Sequence, residues 1–124
     1  MKHLALLCLA IAGLSGCNDD EGRPTGATCP TASPPTYADF GRTFFATYCM
    51  GCHSAAANDR HGAPAELNWD TQAEVDAHLA EIDREAASGP SATNRLMPEA
   101  EPDPTDDERK TLGEFLACER QAAK

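Results

Sequence analysis

The run Cys49-Met50-Gly51-Cys52-His53 constrains this chain more than anything else in its 124 residues. Two thiols three positions apart, followed at once by an imidazole, have few chemical uses. Structural zinc needs four ligands, usually supplied as two such pairs, and the other cysteines, Cys8, Cys17, Cys29 and Cys118, stand singly and far apart. A thioredoxin-type pair sits between a strand and a helix, whereas the residues before Cys49 read as helix. A chance pair of core cysteines gives the adjacent histidine no part. C-x-x-C-H is the spacing of covalent haem attachment. The thiols add across two vinyl groups on one edge of a porphyrin, and the histidine swings under the iron. Met50 and Gly51 only bridge the two thiols.

Such chemistry belongs to exported chains, and the N-terminus reads as an export signal. Lys2 and His3 precede the apolar stretch from Leu4 to Ala12, which is too short to cross a bilayer. Leu14-Ser15-Gly16-Cys17 then resembles the lipobox of bacterial lipoproteins, where the cysteine is acylated and becomes the first mature residue. A plain secretion signal followed by a free cysteine is the other reading. The lipobox reading divides the chain into a signal over 1–16, an acylated Cys17 with a flexible tether over 17–35, and a folded domain over 36–121. The tether is read from a stretch of Asp, Gly, Pro, Thr and Ser without apolar period. It places the domain at a bacterial membrane, in the periplasm or at the cell surface, held by lipid.

A domain of this size buries only a modest core and needs a staple or cofactor. The formal charge of −10 becomes −11 once Lys2 leaves with the signal. This charge disfavours nucleic acid as a partner, and it favours redox proteins with basic docking surfaces.

Three helices are expected, and no segment alternates like a strand. The first runs from Thr36 to Tyr48, with Tyr37, Phe40, Phe44, Phe45 and Tyr48 on one broad face. The second opens on the capping box Thr71/Glu74, carries Val75, Leu79, Ile82 and Ala86, and stops at Gly89-Pro90. The third opens on a second box, Thr105/Glu108, and carries Leu112, Phe115 and Leu116.

With these residues in view, the chain resembles the class I single-haem cytochrome c family, in a bacterial lipoprotein form, across most of 36–121. The resemblance implies an all-α domain wrapped around one covalent haem c, in which Gly41 and Phe45 of the first helix meet Leu112 and Phe115 of the last. It implies His53 and Met97 as axial iron ligands, Met97 lying in a Met-Pro pair before the last helix. It also implies that the Pro64 carbonyl, in Gly62-Ala63-Pro64, accepts from the ligating imidazole. Leu67, Trp69, Leu79 and Leu96 are read as haem-pocket or core residues. His61 and His78 are the competing ligands, and bis-histidine ligation would lower the potential.

Cys29 and Cys118 remain after these assignments. In an oxidising compartment they form either a disulfide or two free thiols, and the disulfide is the favoured reading. The function expected is monomeric electron carriage with both axial positions filled and no catalysis. The alternatives are a haem subunit or small haem enzyme with an open or bis-histidine iron, and a haem-based sensor or ligand-binding lipoprotein.

Overall fold

The structure is a computed structural model and describes residues 21–124. The expected signal, Cys17 and the first residues of the expected tether lie outside them. The domain is all-α. Among the described residues no sheet forms, and no helix is long and apolar enough to cross a membrane.

Thr36 caps the first helical segment, its hydroxyl accepting from the Asp39 N–H at 3.2 Å. The opening turn, Tyr37–Gly41, is π-helical: the Gly41 N–H reaches back to Thr36 O at 3.1 Å, and the next amide to Tyr37 O. Helix α1, Arg42–Tyr48, continues from it. The wider turn belongs to an aromatic assembly built on Phe115, whose ring lies 6.5, 6.2 and 6.3 Å from those of Tyr37, Phe40 and Phe45. Gly41 permits this approach, since a Cβ there would stand 3.2 Å from Phe115 Cζ. The expected meeting of first and last helices therefore occurs at Gly41, Phe45 and Phe115.

The expected second helix is broken. Helix α2, Gln72–Asp76, starts on the complete Thr71/Glu74 box, and helix α3, Leu79–Ala86, starts anew after His78. His78 takes φ −129° and ψ 23°, outside helical geometry, while its N–H tightens onto Val75 O. Its ring lies edge-on to Trp69 at 5.2 Å, and its Nδ1 lies 3.0 Å from a Glu81 carboxylate oxygen. Both partners hold the side chain at the break. After Ala86 the chain turns extended at Ala87, ahead of Gly89-Pro90, and an antiparallel bridge pairs Ser88 with Thr93.

Helix α4, Asp106–Ala122, begins on the Thr105/Glu108 box as expected. Its buried side packs Leu112, Phe115 and Leu116 against Phe44, Phe45, Val75, Leu79, Ile82 and Ala86, forming one core. Around the edge of that core lie the half-buried Tyr37, Phe40, Tyr48, Cys49, Leu67 and Met97.

The folded unit starts earlier than the composition suggests. Thr25, expected in the tether, is fully buried: its N–H and hydroxyl both donate to the buried Asp83 carboxylate, at 2.9 and 2.6 Å. Asn94 clasps the Arg23 backbone from both sides, and the Ser91 N–H donates to Thr25 O. Cys29 and Cys118 are joined as a disulfide, tying this arm to α4. Polar composition reads as tether because the groups that hold the arm lie 58 to 89 residues away in sequence.

Candidate functional site

The Cys49–His53 pentapeptide is a tight turn at the C-terminal end of α1. The amides of Cys49 and Met50 close on Phe45 O, and those of Cys52 and His53 on Cys49 O at 3.2 and 2.8 Å. Both cysteines are free and half-buried. Burial pushes the Cys49 thiol up to about 12. A helix C-terminus carries negative partial charge and also disfavours a thiolate. Cys49 is therefore unlike a thioredoxin-type nucleophile, whose pKa is lowered at a helix N-terminus. Among the described residues no three His, Cys, Asp or Glu side chains are grouped to hold a metal by themselves, as a zinc site requires.

His53 Nδ1 lies 3.1 Å from Leu67 O. A carbonyl only accepts, so Nδ1 carries the proton and the Nε2 lone pair is left available. The expected acceptor was Pro64 O. That carbonyl is instead taken by Arg60 Nη2 and the Leu67 N–H, at 2.5 and 3.1 Å, because the turn from Pro64 to Leu67 brings the later carbonyl to the imidazole. The imidazole stacks on the buried Trp69 at 5.4 Å between centroids, and the Trp69 N–H donates to His53 O at 2.9 Å.

Arg60 organises the intervening loop, and nothing in the sequence pattern marks it. Its guanidinium donates to the carbonyls of Ser54, Ala63, Pro64 and Leu67 and to the Asn68 amide oxygen. Asp70 closes the same loop. The Ser54 hydroxyl and the Ala55 N–H hold its carboxylate below the ordinary value.

Met97 is half-buried at the edge of the core. Its N–H donates to Glu85 O at 2.9 Å, and its carbonyl accepts from Arg109 Nη1 at 2.8 Å. Leu96, next to it, is 41% exposed and so takes no part in the polypeptide core. Leu79 and Trp69 are core residues, and Leu67 packs against the core. Pro64 and His61 lie on the exposed part of the loop, and His78 is engaged by Glu81 on α3.

Sequence reading also missed Arg109 and Asp83. Both stand on the apolar stripes of their helices, Arg109 with Leu112 and Leu116, and Asp83 with Leu79 and Ala86. A charge at such a position was the available signal.

The donor set fits a covalently held porphyrin iron: two unpaired thiols on one turn, an imidazole with its distal nitrogen unengaged, and a thioether among half-buried apolar groups. Two surface cavities, one of about 390 Å³ lined by His78, Glu81 and Glu85 and one of about 340 Å³ lined by Ala27, Pro90 and Lys110, include none of these residues, so neither is the place for such a group. Comparison with known proteins adds no relative: no family model, curated protein or solved structure matches this chain.

Proposed function

We propose that this chain is a c-type cytochrome that carries single electrons between redox partners while tethered to a bacterial membrane through lipid on Cys17. The observation that carries the reading is the 3.1 Å contact between His53 Nδ1 and Leu67 O, one residue beyond two unpaired thiols. Metal-binding histidines use this device, donating one ring N–H to a carbonyl so that the other nitrogen faces the metal in a set orientation.

Each residue then has a defined task. Cys49 and Cys52 would hold the haem through their sulfurs, and His53 would bind the iron through Nε2. Trp69 limits rotation of the imidazole by stacking, while the Arg60 bonds keep Leu67 O in place. Met97 would supply its thioether sulfur to the iron, and the half-buried Tyr48 and Leu67 would add apolar contact around the group. The haem, when bound, supplies one-electron exchange at its iron. The acidic surface favours partners with basic faces, and nucleic acid is disfavoured by charge. The domain works as a monomer.

Expression with a c-type maturation system, followed by a reduced-minus-oxidised visible spectrum of washed membranes, tests haem, ligation and tether together. Expected are haem that survives denaturation and a weak far-red sulfur-to-iron band that Met97→Ala abolishes without loss of covalent haem. Colourless protein with both Cys49 and Cys52 open to alkylation overturns the proposal.

A further inference from the structure

We infer that Arg109 is a positioning residue for Met97: one buried guanidinium ties the Met97 carbonyl, the end of α3 and the proline-rich loop together, keeping the thioether available to the iron. The inference rests on the haem reading above. Arg109 lies in the first turns of α4 with a relative exposure of 0%. Its Nη1 donates to Ala86 O at 2.8 Å, Asn94 O at 3.1 Å and Met97 O at 2.8 Å, and its Nη2 pairs with the Asp103 carboxylate. These acceptors come from the end of α3, the segment leading to Met97, and the loop beyond it.

That loop has little else to hold it. Pro98, Pro102 and Pro104 lack backbone donors, and the Asp103 N–H bonds only locally, to Glu101. Met97 has two backbone hydrogen bonds, one to Glu85 O and one from Arg109. The exposed Arg95–Asp106 pair spans the same loop from outside, where ion pairs hold weakly.

Packing alone does not explain a cation here. A buried ion pair is often matched or bettered in stability by apolar residues of similar volume. Arg109 Nε, moreover, is buried without a hydrogen-bond partner, so the site is not arranged to satisfy the cation fully. What the guanidinium does, and a leucine could not, is gather four acceptors from separate segments into one geometry.

The test uses the full chain matured with haem, comparing wild type, Arg109→Gln, Arg109→Lys, Asp103→Asn and the stability control Thr25→Ala, which touches no atom of Arg109 or Met97 through a hydrogen bond. Helicity and melting are followed by circular dichroism, and Met97 ligation by the far-red band and by titration with imidazole, which competes for the iron. Arg109→Gln should keep covalent haem and helicity yet weaken or lose the band. It should bind imidazole at least roughly ten-fold more tightly, the lower end of what losing a charged hydrogen bond implies. Arg109→Lys should fall between, and Asp103→Asn should have a smaller effect because the carbonyl bonds remain. Thr25→Ala should lower the melting temperature without moving imidazole affinity.

Wild-type band and affinity in Arg109→Gln overturn the inference and leave the haem reading intact. If Arg109→Gln does not fold, Arg109→Lys against Thr25→Ala decides: equal imidazole affinities make Arg109 a stability residue only. Wild-type protein without covalent haem removes both proposals.

Discussion

Replacing both Cys29 and Cys118 with serine should free the N-terminal arm and lower the stability of the whole domain. The disulfide spans 89 residues, and closing a loop of that length restricts the unfolded chain by roughly 4.5 kcal/mol in the chain-entropy treatment. Without it, the arm relies on its hydrogen bonds. Two of these run from Thr25 to the Asp83 carboxylate, and three neutral ones join Arg23 and Thr25 to Asn94 and Ser91. Together they contribute roughly 4.5–10.5 kcal/mol. Ordering the eight residues 22–29 costs roughly 8–16 kcal/mol in backbone freedom, so the balance tips toward release. Hydrogen exchange of the Thr25 and Ser91 amides reads the arm, and thermal melting reads the domain. Expected is loss of protection at both amides together with a fall in Tm of at least about 10 °C, allowing for strain that reduces the ideal value. Retained protection and a Tm within about 3 °C of wild type would refute the reasoning, because neither the link nor the weakness of the arm could then be as described.

Two further outcomes follow from particular contacts. Gly113→Ala should destabilise more than Gly41→Ala, since a Cβ at 113 runs into the Ser88 carbonyl, whereas one at 41 meets the Tyr37 ring at 2.9 Å and Phe115 Cζ at 3.2 Å. Overpacking of this kind costs roughly 1–3 kcal/mol, and equal melting temperatures would contradict the ranking. Asp76 on α2 and Glu119 on α4, with Gln72 beside Glu119, are both raised above ordinary carboxyl values, first by burial and for Glu119 also by Asp76. Raised folded pKa values mean the folded state holds protons that the unfolded chain has released. Their stabilisation is complete below the unfolded values near 3.8 and 4.5 and is lost as pH rises through the folded ones. Asp76→Asn should accordingly raise Tm at pH 7 and change it little at pH 3, as thermal melts at the two values would report.

Local chemistry was legible in the chain, and distant pairing was not. Thr36, Thr71 and Thr105 mark their helix starts because a cap is satisfied within three residues. The break at His78 left no mark: Val75, Leu79, Ile82 and Ala86 keep a continuous helical period across it, while Trp69, which holds the His78 ring, is nine residues away. The thiols and imidazole of 49–53 are visible because the proposed covalent attachment would demand this fixed spacing. The acceptor of the His53 proton is not, because every residue has a carbonyl and only the path of the loop chooses Leu67 over Pro64.

That choice and the setting of Met97 have a common physical basis. Loops 54–68 and 94–104 contain no helix, and prolines at 64, 98, 102 and 104 leave them short of backbone donors. Each is organised by an arginine that supplies several donors from one rigid plane. Arg60 donates to the same Leu67 carbonyl that His53 uses, at 2.9 Å, so the imidazole is oriented by an oxygen that is itself held. Arg109 does the same for the Met97 carbonyl. Lysine could present three donors from a single atom but not this fork. A small all-α domain without a sheet among its described residues to brace its connections thus gives both of its candidate iron ligands a fixed backbone.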